Sequence, residues 1–229
     1  MRLAIIPARG GSKRIPHKNI KDFCGKPIIA YSIETAIQSN LFDKVIVTTD
    51  DIEIAQVSEQ YGAEIPFMRP RELSDDFTGT VPVIAHAINS MRELGHNIGE
   101  VCCIYATAPF ILVEDLKHGF KLLSDYQADY VFSCTSFPFP IQRAVKLSQE
   151  NAVSMFSPEF EQTRSQDLEE AYHDAGQFYW GTSEAFCLAK PIFNGNSRAV
   201  ILPRSRVQDI DTLEDWDQAE WLFKAMQAK

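Results

Sequence analysis

Short, wholly apolar runs alternate with longer amphipathic segments along this 229-residue chain, and that alternation restricts the fold more than any other feature. Leu3–Ala8, Lys44–Thr49, Val101–Tyr105, Tyr130–Cys134 and Ala199–Leu202 read as strands, and Ile28–Gln38, Ile52–Tyr61, Val83–Leu94 and Leu116–Leu123 as helices. Val45-Ile46-Val47 and Val131-Phe132 are apolar at successive positions, as strands are when both faces of a parallel sheet are covered. The rhythm predicts α/β architecture: a mostly parallel, Rossmann-like sheet with helices on both faces, in a single domain over residues 1–229. In such sheets ligands lie beyond the carboxyl ends of the strands, which puts Arg9, Asp50 and Tyr105 on one rim.

One stretch breaks the rhythm. Between residues 135 and 177 the chain carries Pro138, Pro140 and Pro158 and a hairpin-like pair, Ile141–Leu147 and Ala152–Phe156. A structureless loop of that length is unusual inside a compact domain, so the segment is expected to be a lid or an arm with a partner. Val145, Leu147, Val153, Met155 and Phe156 favour an arm, because an isolated two-stranded hairpin is marginal and would leave apolar surface in water.

The first strand runs into Arg9-Gly10-Gly11-Ser12-Lys13-Arg14 and then Lys18-Asn19. Two glycines at the end of a strand allow backbone N–H groups to converge on a phosphate, while Arg9, Lys13 and Lys18 supply positive charge. Seven Lys/Arg stand against one Asp between Met1 and Lys26, in a chain of net charge -9. An acidic protein that concentrates cations on one loop is suited to a polyanion such as a nucleoside triphosphate. The stretch is neither a Walker motif nor a dinucleotide fingerprint. A single short basic loop also argues against nucleic acid as a partner.

Near the other end, Asp209-x-Asp211 precedes Thr212 and a helix with Glu214 and Asp215 in its first turn. Two readings attach to it: ordinary capping chemistry, or carboxylates for a divalent cation. The two carboxylates are expected to divide the work, one holding a cation and the other fixing local structure. The five cysteines show no metal-binding spacing and read as free core thiols. No apolar run approaches the roughly 20 residues of a membrane helix, and Met1-Arg2 enters a core strand without a signal-peptide pattern, so the expected location is the cytoplasm.

Ile6-Pro7-Ala8-Arg9-Gly10-Gly11-Ser12-Lys13-Arg14-Ile15-Pro16, Lys18-Asn19-Ile20 and Gly25-Lys26-Pro27-Ile28 resemble the signature of cytidylyltransferases that activate nine-carbon acidic sugars, such as the CMP-sialic acid synthetases. The likeness continues in order through Val47-Thr48-Thr49-Asp50, Arg69-Pro70-Arg71-Glu72-Leu73 and Asp209-Ile210-Asp211-Thr212. It implies CTP and a nine-carbon sugar acid as substrates, with Ala8, Arg9, Gly10, Gly11, Ser12, Lys13, Lys18, Asn19, Arg69 or Arg71, and Thr80 around the nucleotide. It further implies Mg²⁺ held at Asp209 and Asp211, catalytic roles for Arg9, Lys13 and Asp211, and a homodimer whose arm sends residues such as Gln162 or Arg164 to the neighbour's sugar site. Thr80 and Thr49-Asp50 are the weaker candidates, reading equally as turn or cap residues or as ribose contacts.

The acceptor side departs from the sialic acid branch. Where that branch carries Leu-Gln-Pro-Thr-Ser-Pro, this chain has Ile104-Tyr105-Ala106-Thr107-Ala108-Pro109, so a phenol replaces an amide. Tyr172-His173-Asp174-Ala175-Gly176-Gln177-Phe178-Tyr179-Trp180 replaces its Asn-Gly before a strand. These stretches resemble the pseudaminic acid cytidylyltransferase branch and make Tyr105, Thr107, His173, Asp174 and Gln177 the expected sugar contacts. His173-Asp174 reads as a loop pair, a turn, a sugar contact or a general base, and Phe178-Tyr179-Trp180 as a core strand with at most its polar tips reaching the pocket. N-acetylneuraminic or legionaminic acid as acceptor, and a non-catalytic nucleotide-binding domain, remain the rival readings.

Overall fold

The computed structural model describes residues 1–228. In chain order the elements are β1 (Leu3–Pro7), β2 (Asp22–Phe23), β3 (Lys26–Pro27), α1 (Ile28–Gln38), β4 (Lys44–Thr48), α2 (Ile52–Gln60), α3 (Thr80–Glu93), β5 (Glu100–Ile104), α4 (Val113–Tyr126) and β6 (Tyr130–Ser136). There follow β7 (Val145–Leu147), β8 (Val153–Met155), β9 (Tyr172–Thr182), α5 (Ser183–Cys187), β10 (Ser197–Ile201) and α6 (Leu213–Gln227). Six strands form the central sheet in the order β10-β6-β9-β5-β1-β4. Every neighbouring pair is parallel except those of β9, which runs antiparallel to both β5 and β6.

The expected helices and parallel strands are present with ends shifted by a few residues, most at α3 and α4, which begin three residues earlier than their apolar periodicity. Strand β9 is the main difference. It spans eleven residues and draws His173 and Asp174 out of the expected loop into the sheet, where they pair with Thr135 and Cys134. Its lower half has mixed polarity, so apolar patterning alone reveals only Phe178-Tyr179-Trp180.

Successive residues of β1 serve opposite faces. Ala4 and Ile6 pack with Ile29 and Ile33 of α1 and Leu116 and Leu123 of α4. Leu3 and Ile5 pack with Ile84, Ile88 and Met91 of α3 and Phe186 of α5. Burying each such side chain contributes roughly 1.5–3 kcal/mol, which makes this double-sided layer the main source of stability. At Gly119 a side chain would run into Trp180, so the missing Cβ lets α4 lie close on β9.

A third cluster joins the β2–β3 hairpin to α6 through Phe23, Trp216 and Phe223, with Phe23 edge-on to both other rings. Thr212 begins α6 in a reciprocal capping box with Asp215, the capping role expected at this turn. The cluster brings Asp209 and Asp211, which lead into α6, against the loop after β1. The segment between β6 and β9 carries the short β7–β8 hairpin, paired Val145 to Met155 and Leu147 to Val153. Phe139 and Phe156 lie on it with 79% and 65% exposure. Among the described residues no helix is long and apolar enough to cross a membrane.

Candidate active site

Two cavities open beyond the carboxyl ends of the strands, with Tyr105 lining both. The first, of about 290 Å³, takes its charge from Arg9, Lys13, Arg14 and Lys18 of the β1 loop and from Arg69. Ser12, Asn19, Thr80, Thr107 and Asp211 complete the expected residues found there. The second, of about 420 Å³, is lined by His173, Asp174, Gly176 and Tyr179 of β9 and by Gln208 and Asp209.

The loop after β1 is held from below. Asp50 accepts the Gly10 N–H at 3.1 Å, and Asn19 donates to the Arg9 carbonyl at 2.9 Å. A Cβ at Gly10 would strike the Asp51 carboxyl, so glycine is required there for close approach rather than for a phosphate. Asp51 itself caps α2. Of the expected cradle of backbone N–H groups, the Gly10 amide is already used and that of Ser12 is turned to the Gly10 carbonyl at 2.9 Å. Ala8, Gly10 and Gly11 shape the loop without lining the cavity. Long side chains provide the binding surface instead.

Those side chains are engaged with acidic neighbours. Asp76 receives Arg9 at 2.8 Å and Lys13 at 2.5 Å, and these cations hold its carboxyl below the ordinary range, Lys13 most of all. Asp211 receives Arg14 at 2.9 Å and Lys18 at 3.5 Å, while Lys18 also donates to the Ile210 carbonyl at 2.7 Å. A triphosphate entering the cavity would replace Asp76, which already faces Arg9 and Lys13.

Of the two candidate arginines, Arg69 is the one in the cavity. It is only 6% exposed, lies 3.7 Å from Asp50 and donates from Nε to Ser74 at 3.1 Å, while its buried Nη2 has no hydrogen-bond partner. Burial pulls its ionisation downward and Asp50 resists. A buried donor without a partner is costly unless a ligand satisfies it. Arg71 lies exposed on a short turn outside both cavities, which corrects its place among the expected nucleotide contacts.

Asp211 lines the first cavity and Asp209 the second. Burial, reinforced by Asp211, raises the Asp209 carboxyl above its ordinary range. Their segment is tied down by Arg206, which grips Asp115 in a two-pronged pair at 2.5 and 3.0 Å. Among the described residues no group of three or more His, Cys, Asp or Glu side chains converges where an ion could be held.

On the acceptor side the expected set divides. Tyr105, His173 and Asp174 line the second cavity, whereas Thr107 faces the first. Gln177 is buried and donates to the Arg206 carbonyl at 2.5 Å, so it braces the Asp209 segment instead of lining a cavity. Gln162 and Arg164 lie exposed on the arm, Arg164 paired with Asp167, and neither lines either of these two cavities. His173 sets Nδ1 against the Asp174 carbonyl at 2.9 Å, which requires a proton on Nδ1, and its ring meets Phe137 edge-on. Arg14 and Gln208 are not site candidates in the sequence, and Tyr179 enters there only as a polar tip of a core strand. Arg14 belongs to the basic run and was findable there; Gln208 carries no local signal.

Comparison with known proteins agrees with this geometry. A family model described as Cytidylyltransferase matches residues 3–212. The chain is 47% identical over 222 residues to a pseudaminic acid cytidylyltransferase of Campylobacter jejuni, covering 97% of this chain and 96% of that protein. It is 32% identical to an N-acylneuraminate cytidylyltransferase of Escherichia coli, over 95% of this chain and 51% of that one. A solved CMP:2-keto-3-deoxy-manno-octonic acid synthetase complexed with CTP superposes with a TM-score of 0.73 at 17% identity, covering 98% of this chain and 99% of the other, which shows a shared fold. With its basic strand-end loop and paired cavities on this sheet, the chain belongs to the cytidylyltransferase family.

Proposed function

We propose that this protein transfers CMP from CTP to pseudaminic acid and releases pyrophosphate. The carrying observation is a cation-walled cavity joined through Tyr105 to a second cavity of sugar size, in a chain 47% identical to a pseudaminic acid cytidylyltransferase over nearly its whole length. Arg9, Lys13, Lys18 and Arg69 bind the triphosphate in the first cavity. The sugar acid occupies the second, and its hydroxyl attacks the α-phosphorus as the bond to the pyrophosphate oxygen breaks. The protein contributes alignment and stabilises charge on the departing oxygens, so fixed cations matter more than a strong nucleophile.

Asp209 and Asp211 suit a Mg²⁺ ion, because that ion is characteristically bound by one or two carboxylates with substrate phosphate oxygens and water completing its shell. The raised Asp209 carboxyl is a group that a cation would relieve. When bound there, the metal would neutralise charge on the phosphates. Asp211 also holds Arg14 and Lys18 in place around the same site.

The arm is read as a dimer contact. Exposed Phe139, Val145, Leu147, Val153 and Phe156 form apolar surface on a hairpin that a twofold mate would cover, with Gln162 or Arg164 reaching the mate's sugar cavity. Sedimentation at micromolar protein is expected to give a dimer. Replacing Ala144–Phe156 by a short turn should give a monomer that binds CTP normally and uses sugar poorly; a fully active wild-type monomer would make the segment a lid.

Pyrophosphate release with CTP and a panel of pseudaminic, legionaminic and N-acetylneuraminic acids tests the reaction. Preferred turnover of pseudaminic acid is expected. Preference for another acid would overturn the sugar assignment, and CTP binding without release on any acid would favour a non-catalytic domain.

A further inference from the structure

Asp174 and Tyr179 stand five residues apart on β9. In a regular strand they would face opposite sides of the sheet, with Cα atoms about 16 Å apart at ~3.3 Å per residue. Here the Tyr179 hydroxyl donates to Oδ2 of Asp174. The cause is a break in register: Phe132 pairs with Tyr179 and Cys134 with Asp174, so Ser133 alone opposes residues 175–178. Gly176 takes φ +62° inside this bulge, and Ser133 Oγ accepts the N–H groups of Gln177 at 3.2 Å and Phe178 at 3.3 Å. The unpaired amides are thus satisfied, and the distortion is built into the sheet rather than left to a mobile loop. Bulges characteristically re-aim a side chain beside a site.

The aimed group is the Asp174 carboxylate. Its Oδ1 accepts the Gly176 N–H at 2.8 Å while Oδ2 holds Tyr179, and each oxygen keeps a further lone pair for the cavity. Tyr105, His173, Tyr179 and Asp209 are the other ionisable side chains lining this cavity, and among the described residues no lysine or arginine lines it. Burial first, and then Tyr105 and Asp174, drive the Tyr179 phenol far above its ordinary range, so it remains a donor throughout the working pH range. A fixed carboxylate without a cationic neighbour in the cavity repels the carboxylate of a sugar acid and accepts from a hydroxyl or amide N–H.

We infer that Asp174 sets the orientation of the sugar acid by accepting a hydrogen bond from its hydroxyl or amide end, and that Tyr179 is a positioning residue that holds Asp174 for this purpose. The inference rests on the reading of the second cavity as the sugar site. It explains why the sheet interrupts the β6–β9 pairing at this point.

The test compares Tyr179→Phe, Asp174→Asn and the double variant by pyrophosphate release, with sugar acid and CTP varied separately and melting measured for each. Tyr179→Phe keeps the packed ring, and Asp174→Asn keeps the shape. Tyr179→Phe is expected to raise the sugar KM about tenfold, as loss of a hydrogen bond to a charged group does, with CTP KM within about twofold. Asp174→Asn should raise sugar KM at least about as much, and the double variant should resemble Asp174→Asn because the two act through one carboxylate. An unchanged sugar KM in Tyr179→Phe, multiplying effects in the double variant, or parallel rises in both KM values with lowered melting would overturn the inference. A wild type that prefers legionaminic or N-acetylneuraminic acid would overturn only the sugar assignment, and the three variants compared on that acid would still decide the role of Tyr179. Wild-type protein inert toward all three acids would overturn the reading of the cavity before any variant is compared.

Discussion

The cationic cavity draws four of its five positive groups from one stretch of chain, Arg9 to Lys18, whereas the second cavity depends on a distorted strand and a loop some thirty residues further on. The first uses long side chains with carboxylate partners: Asp76 faces Arg9 and Lys13, where a ligand would displace it, and Asp211 holds Arg14 and Lys18. The second uses short groups locked by the fold: Asp174 by Tyr179 and Gly176, and the Asp209 segment by Arg206 and Gln177. Charge that must bind and release a polyanion can be mobile. Recognition of a stereochemically complex acceptor needs rigid donors and acceptors, because small displacements weaken hydrogen bonds steeply.

The largest effect should come from the carboxylate at the edge of the cationic cavity. Asp211→Ala removes a carboxylate proposed for Mg²⁺ and the partner of Arg14 and Lys18, and turnover is expected to fall about 10³-fold with little recovery in excess Mg²⁺. Stability should fall by no more than about 2 kcal/mol, since Thr212 and Asp215 still cap α6. Ordinary turnover with lowered melting would confine Asp211 to a structural role. Next, Arg9→Ala and Lys13→Ala should each cost about 10²–10³-fold in turnover while melting stays near wild type, because both lie on an exposed loop. Near-normal rates in both variants would break the assignment of the cationic cavity to phosphate.

Arg69→Met and Arg71→Ala sharpen the comparison by separating two arginines that sequence leaves equivalent. The first should lose about 10²-fold in kcat/KM, and the second should stay within about twofold. The reverse order would mean that the loop rearranges on binding. The smallest effect is expected for Tyr105→Phe, which deletes one hydroxyl contact with Thr80 at 2.9 Å on the wall shared by both cavities. A change of about three- to tenfold, spread over both substrates, corresponds to one neutral hydrogen bond. An effect restricted to CTP would place the tyrosine functionally in the first cavity alone.

Much of the site is legible in the sequence where function is local. Arg9, Lys13 and Lys18 announce themselves as a cluster of like charge that an acidic chain would otherwise disperse, and Asp209 and Asp211 as paired carboxylates just before a helix cap, although only the structure assigns them to separate cavities. Thr107 and Gln177 were misplaced for a different reason. Each lies close in sequence to a true cavity residue, but Thr107 turns to the neighbouring cavity and Gln177 is drawn inward by the Arg206 carbonyl. Adjacency along the chain does not specify which side of a bend faces the ligand.

The sequence by itself determined the α/β layer order, the helix that begins at Thr212 and the cationic loop, because burial periodicity, capping chemistry and charge density are properties of neighbouring residues. Tertiary structure alone decided that β9 inserts antiparallel between β5 and β6, that Ser133 stabilises a bulge in it, and that Arg69 is buried while Arg71 is not. Those outcomes depend on which distant backbone amides and carbonyls find one another when the sheet closes. A buried polar group must take its partner from whatever part of the chain the fold brings within reach.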